Sequence, residues 1–535
     1  MSHSISPVED WIAATPLASE VEFDPAGPYR YRVFQDDDRL LHEEVRLGAG
    51  DAVLTQQALP VSWIIGSGKR GRTFATSADG VLRESPITWY ANGPHWDLSP
   101  GYNTADQPHF QRRVTTACLL CHAGQVSAPG PNRFDPSAPF VESGIGCERC
   151  HGPGAAHVAR HEQAFAPAGP DPIVNPSRLD PVRREAVCNR CHLSGGHRVL
   201  HAGKSDADFQ PGQRLCDVWT IFIDDVGSRG DGPGISQVQQ MRSSACYRSS
   251  EGRLGCISCH DAHEVPAEAE RLDYYRAKCV TCHVAEGRDC SAPALQRAQL
   301  RDACTECHMP RHPTSNLPHT AQTDHRILRR PSEASLSQSR KPVESLLWDE
   351  GQPPLDAAQI ERARQILVAN AEHVVPNSDQ LQDACNSLRK TVAANPGDGR
   401  AWEALARAAT RANQPSVALS AGLRAVERWP DDDATWRVLA AAAIAAQNWE
   451  TADRAVAASL KLVPDDAESW ELAAYLRMRQ GRLANAVEAA TKSLALDPGR
   501  PRPHAYLADA LMQLRQPTDA RRHFELFRSL SAPPQ

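Results

Sequence analysis

At 535 residues the chain exceeds what a single hydrophobic core supports, and about three domains are expected. Its 58 Lys and Arg against 65 Asp and Glu leave a net charge of −7, with neither sign gathered into long blocks. That balance argues against nucleic acid or an anionic membrane surface as the main partner. The longest apolar run, VLAAAAIAA at 438–446, is far short of the roughly 20 residues a spanning helix needs.

The first twenty residues, MSHSISPVEDWIAATPLASE, have neither a basic leader nor an apolar core and do not read as a signal peptide. From about 28 to 117 short alternating runs (YRYRVF, EEVRL, PVSWIIGSG, RTFATS) are separated by Gly, Asp and Pro. They predict strands joined by turns, so 1–117 is read as a β-rich N-terminal segment. Residues 118–326 are Cys-, His-, Gly- and Pro-rich with little periodicity, and cannot build an ordinary apolar core. Residues 327–356 are polar and rich in Ser and Pro, which predicts a linker.

After 357 a period of 34 residues appears. Pro396, Pro430, Pro464 and Pro498 keep it, as do Trp402, Trp436, Trp470 and His504. So do Ala406, Ala440, Ala474 and Ala508, and Ala418, Ala452, Ala486 and Ala520. Small residues let paired helices approach and each Pro ends a helix, which is the tetratricopeptide (TPR) pattern. Ala384 carries the register back one repeat, so 357–535 reads as an all-α TPR solenoid with a degenerate first helix pair. The fold class is therefore multidomain: a small β-rich segment, an irregular and α-helical Cys/His domain, and the solenoid.

Of sixteen cysteines, fifteen lie between Cys118 and Cys307, and only Cys385 lies outside. Twelve form six Cys-x-x-Cys pairs: Cys118 with Cys121, Cys147 with Cys150, Cys188 with Cys191, Cys256 with Cys259, Cys279 with Cys282, and Cys304 with Cys307. Each is followed at once by His: His122, His151, His192, His260, His283 and His308. Zinc clips and redox dithiols make no demand on that next residue. Covalent haem does, because the thiols add to the vinyl groups and the adjacent imidazole becomes the proximal iron ligand. Six haem c groups are expected, one per motif; zinc ribbons are the remaining reading. Haems at that density replace the apolar core and sit close enough to pass electrons.

The sixth ligand separates a carrier from an enzyme. His157, His263, His312, His319 and His325 follow motifs closely and are distal candidates, with His42, His95, His109, His161, His197 and His201 as further ones and Met241 as a possible thioether ligand. Bis-His ligation of all six haems gives an electron relay. One open iron gives an oxidoreductase acting on a small nitrogen or sulfur compound. Cys216, Cys246 and Cys290 are left over, with Cys246–Cys290 the guessed pairing, and Cys385 reads as a small buried residue of the first repeat.

The stretches GIGCERCHGPGAAHV, LGCISCHDAHEVP, YYRAKCVTCH and CTECHMPRHP…PHTAQTDHRI, with WIIGSGKRGRTF, ITWY and WDLSPGYN upstream, resemble a group of bacterial exported multihaem cytochromes with C-terminal TPR repeats. The resemblance implies an exported electron-transfer protein, periplasmic or otherwise exported; from the solenoid, whose concave face commonly binds protein, redox partner proteins are expected to dock through the repeats. It also makes His157, His263 and His325 the preferred distal ligands, ahead of His312 and His319. In that group a signal sequence and a further Cys-x-x-Cys-His site precede a stretch resembling MSHSIS. The expectation is therefore that Met1 is an internal or misassigned start, with an export signal upstream and room there for a seventh haem site.

Overall fold

The computed structural model describes residues 4–532 except 15–16, 18–19, 26, 93–94, 103–106, 164–168, 194–195, 226–235, 284–289, 314–320, 330–343, 349–354 and 372–375. Two compact units form: Met1–Ile145 with Val199–Asp206 and Leu355–Gln535, and Gly146–Arg198 with Ala207–Pro354. The segments read from sequence are thus regrouped, because the β-rich part and the repeats share one unit.

In the first unit the chain runs β1 (Ile5–Pro7), α1 (Val8–Ala14), β2 (Val21–Phe23), β3 (Tyr29–Asp36), β4 (Arg39–Leu47), β5 (Val53–Pro60), β6 (Trp63–Ile65), β7 (Gly71–Ala78), β8 (Val81–Tyr90) and β9 (His95–Leu98). Strands β2 to β5 form one antiparallel sheet in chain order; β1, β6, β7, β8 and β9 form another. Alternation works as expected on β3, where Tyr31 and Val33 turn inward together. They join Val8, Trp11, Leu40, Ile64, Phe74, Ile87 and Tyr102 in a core, each large side chain contributing about 2 kcal/mol by leaving water. The β7–β8 hairpin turns on Asp79 and Gly80, both at positive φ, the Asp-Gly signature of a tight turn.

Next come α2 (Thr116–His122), β10 (Gln125–Val126) and β11 (Phe140–Glu142). Leu119 and Phe134 of this segment pack with Ile5, Ala75 and Leu82 of the five-stranded sheet.

The second unit contains α3 (Glu148–His151), α4 (Ala155–His161), α5 (Pro181–His192), β12 (Gly196–Leu200, running across the unit boundary), β13 (Trp219–Asp225), α6 (Gln237–Ser243), α7 (Ala245–Ser249), α8 (Cys256–Cys259), α9 (Arg271–His283), α10 (Ala294–Gln299), α11 (Cys304–His308), β14 (Arg311–Pro313), β15 (Ala321–Thr323) and β16 (Glu344–Leu347). Helices α3, α4, α8, α9, α10 and α11 bury no residue. The segment expected to be a linker is corrected in part: its strand β16 pairs antiparallel with β13, and buried Trp348 donates its backbone N–H to Ile221.

Back in the first unit, ten helices follow in antiparallel pairs: α12 (Ala357–Asn370) with α13 (Ser378–Ala394), α14 (Gly399–Arg411) with α15 (Pro415–Arg428), α16 (Asp433–Ala445) with α17 (Trp449–Leu462), α18 (Ala467–Arg479) with α19 (Leu483–Leu496), and α20 (Pro501–Gln513) with α21 (Pro517–Ser531). The alanines at the two periodic columns are buried between helices, Ala418, Ala440, Ala452, Ala474 and Ala486 at 1% exposure or less. Cys385 is fully buried on α13. Arg113 reaches from the β-rich part to Asp433 and Asp466, and Arg83 to Asp465. No helix among the described residues is long and apolar enough to cross a membrane.

Candidate functional site

All six Cys-x-x-Cys-His segments fold around a helical turn: in α2, from Cys147 into α3, at the end of α5, through α8, at the end of α9, and in α11. Positions three and four apart share a helix face, so where the histidine is still helical the turn brings two thiols and the imidazole to one side; His260 instead lies in extended backbone just past α8. Local caps place several of these turns. Thr115 accepts from the Cys118 N–H, and Asp180 from Val182 and Arg183 ahead of α5. In α8 the cap comes from far away, since the Cys256 N–H donates to Glu185 at 3.1 Å.

None of the motif cysteines is joined in a disulfide, and their settings differ. Cys121 on α2 and Cys191 on α5 are half-buried, as are Cys150 and Cys259, whereas Cys282 on α9 and Cys307 on α11 are exposed. Their helices bury no side chain, so the polypeptide alone leaves these thiols facing solvent. At Cys121 and Cys191 the helices carry buried neighbours, Leu119 and Leu120 in one and Val187 and Arg190 in the other, which shelter the second thiol of the motif.

The imidazoles are oriented in a repeated way. His151 Nδ1 lies 2.7 Å from the Val174 carbonyl, and the His151 carbonyl accepts from the Val174 N–H. His308 and Leu328 make the same two-point clasp, with Nδ1 2.8 Å from the carbonyl. His325 Nδ1 lies 2.8 Å from the Thr323 carbonyl, and His260 Nδ1 lies 3.4 Å from the Tyr275 hydroxyl. An imidazole that donates from Nδ1 presents an Nε2 lone pair, the state a metal ligand needs. Burial lowers the pKa of His122, His192, His260 and His325, with His325 and His192 adding to the effect on His260, so these rings are held neutral.

Thiols of different motifs come together. Cys256 shares a hydrogen bond with Cys188, which together with burial keeps its thiol protonated, and it donates to Glu185 Oε2 at 2.9 Å. Burial pushes Cys279 up to about 12, and this thiol also bonds Cys304. Among the described residues a single group of three or more potential ligand atoms converges within 4.8 Å: His157, His161 and Asp171. Among the described residues no group of three or more ligand atoms within that distance includes a cysteine.

Of the spare histidines, His157 and His161 flank Asp171, with Nδ1 and Nε2 respectively 2.8 and 2.9 Å from its carboxylate. These two hydrogen bonds hold Asp171 well below the usual carboxylate range. His263 is exposed, its Nδ1 3.5 Å from Asp261, and His325 is half-buried, its backbone N–H donating to Gln240 Oε1. His319 and the His312 side chain lie outside the described residues. Two of the further candidates belong to the β core instead. His42 is fully buried, bonds Ser85 Oγ at 2.7 Å, packs on Phe74 and Trp96, and is pushed down to about 3 by burial. His109 bonds Glu44. The guessed Cys246–Cys290 disulfide is not formed; Cys246 lies by Cys259 and Cys279 instead. Sequence reasoning missed the groups that orient the rings: Asp171, Val174, Tyr275 and Leu328. Two of them act through their backbone carbonyls, which leave no trace in residue type.

Tetratricopeptide-repeat family models match residues 377–433, 437–501 and 477–526. No curated protein matches the chain. Similar solved structures include MamA, 15% identical over 33% of this chain and 95% of that one with a TM-score of 0.28. The MamA of Desulfovibrio magneticus RS-1 is 16% identical over 33% and 95%, with a TM-score of 0.29. The pilF protein of Pseudomonas aeruginosa is 20% identical over 33% and 79%, with a TM-score of 0.29. The C-terminal part is thus a TPR array, an architecture that serves protein–protein interaction.

Proposed function

We propose that the chain is a multihaem c-type cytochrome that carries electrons outside the cytoplasmic membrane and recruits a protein redox partner through its repeats. The observation that carries the reading is the His that follows all six Cys-x-x-Cys pairs. Two features of the fold support it. Several of the motif-bearing helices bury no side chain and need a large apolar group for a core, and oriented imidazoles present Nε2.

The donor set fits haem c. Cys118 and Cys121, Cys147 and Cys150, Cys188 and Cys191, Cys256 and Cys259, Cys279 and Cys282, and Cys304 and Cys307 would hold the macrocycles. His122, His151, His192, His260, His283 and His308 would take the proximal positions. Bound there, haem iron supplies one-electron chemistry. The chain's own contribution is to fix ring orientation through Val174, Leu328 and Tyr275 and to hold neighbouring attachment points together through the Cys188–Cys256 and Cys279–Cys304 contacts. Export follows from the chemistry of attachment, which takes place beyond the cytoplasmic membrane.

The test is expression with a periplasmic leader and haem-maturation machinery, read by intact mass and optical spectra. Six covalent haems that ignore carbon monoxide are expected. A haem that takes up carbon monoxide would turn the reading to an oxidoreductase with an open iron, and a chain without haem would overturn it.

A further inference from the structure

Four histidines of the second unit form two ring pairs that are not hydrogen-bonded to each other. The His151 and His263 ring centres are 6.0 Å apart with planes 14° from parallel, and those of His260 and His325 are 6.3 Å apart at 29°. Other histidine pairs in the chain sit closer. His504 and His523 are joined directly through Nδ1 atoms 2.9 Å apart, with ring centres at 5.2 Å, and His157 and His161 share Asp171 with ring centres at 4.6 Å. Two imidazoles on opposite sides of one metal ion, each bonded at about 2 Å, hold their ring centres roughly 6 Å apart. Both wider pairs have that spacing.

Each ring also turns its Nδ1 to an oxygen on its own side. His151 meets the Val174 carbonyl, His325 the Thr323 carbonyl, His260 the Tyr275 hydroxyl, and His263 faces Asp261. Nε2 is then the nitrogen left for a metal in all four.

Resting on the haem reading above, we infer that His151 and His263 are the two axial ligands of one haem and His260 and His325 those of another. The assignment pairs residues 112 and 65 positions apart, which no motif spacing reveals. It makes Cys259–His263 a bridge, with His260 serving the haem of its own motif and His263 that of Cys147 and Cys150. These two haems are therefore neighbours along the path of electrons.

The test uses the haem-loaded chain, with spin state read by EPR and haem number by mass. In His263→Gly, one haem of six becomes high-spin and added imidazole returns it to low-spin. In a chain also carrying Cys147→Ala and Cys150→Ala, with five haems, His263→Gly adds no high-spin haem. His325→Gly behaves the same way against Cys256→Ala with Cys259→Ala. His263→Met, which keeps a ligand in place, leaves the haem low-spin and raises its potential. High-spin haem that persists after loss of the Cys147 and Cys150 site, or His263→Gly haems that all stay low-spin, overturns the pairing alone. An unsubstituted chain that takes up no haem overturns the haem reading, and is seen before any variant is made.

Discussion

The indole N–H groups of Trp402, Trp436 and Trp470 donate to the carbonyls of Pro396, Pro430 and Pro464, six residues earlier, at 3.1, 2.7 and 2.8 Å. His504 stands at the next position of the column, its ring close to Pro498. At its three tryptophans the column therefore supplies a ring N–H that ties a helix pair to the end of the one before. Trp436→Phe should cost about 1 kcal/mol, read as a lower denaturation midpoint, while keeping the apolar ring. His504 also carries a pH signature: burial, then His523 and Arg522, push it down to about 4. A histidine depressed in the fold contributes stability that is complete above its unfolded value of 6.5 and is lost as pH falls toward 4. His42, pushed to about 3 by burial, acts in the same direction. Melting temperature should drop between pH 6.5 and 4, and His504→Trp should flatten that slope; an unchanged slope would mean His504 titrates normally.

At the scale of elements, a cluster of charges joins the β-rich part to the repeats. Arg113 bonds Asp433 and Asp466, and Arg437 bonds both as well, at 2.5 and 3.2 Å. Asp466 also caps α18. Burial alone would raise its pKa, but Arg437 and Arg113 outweigh burial and hold it well below the usual range. Arg113→Ala should lower stability by about 3 kcal/mol, because it strips a partner from buried carboxylates. Arg113→Lys should restore part of the loss. Equal melting of Arg113→Ala and the parent would show that the contact contributes nothing. Because Asp466 is depressed, its contribution is present above its unfolded pKa and is lost as pH falls, adding to the acid sensitivity of the histidines.

Across the whole molecule the two kinds of helix differ in what covers them. Repeat helices α15 to α21 share one continuous apolar core through Leu439, Ala455, Ala474 and Ala490, whereas α9, α10 and α11 bury no residue and leave Cys282 and Cys307 exposed. Limited proteolysis of chain made without haem maturation should cut within 271–308 and leave 399–513 intact, and haem loading should protect the first region. Cutting at equal rates with and without haem would mean that the protein alone orders these helices.

The periodic columns, the strand alternation and the six motifs were legible because each is a local rule: 34-residue spacing for a helix pair, two for a strand, and two cysteines with an adjacent histidine for each motif. They determined the β-rich start and the repeat array. Partnerships between distant groups were not legible. The clasp of Val174 on His151, the contact of Cys188 with Cys256, the reach of Arg113 to Asp466 and the setting of His263 beside His151 span from 23 to 353 positions, and Val174 acts only through its backbone. Only the folded chain brings such groups within a few ångströms, and residue type does not encode which of several equivalent histidines arrives. The sequence alone therefore determined the repeat array, the strand pattern and the six Cys-x-x-Cys-His motifs, and tertiary packing decided which distant groups stand beside them.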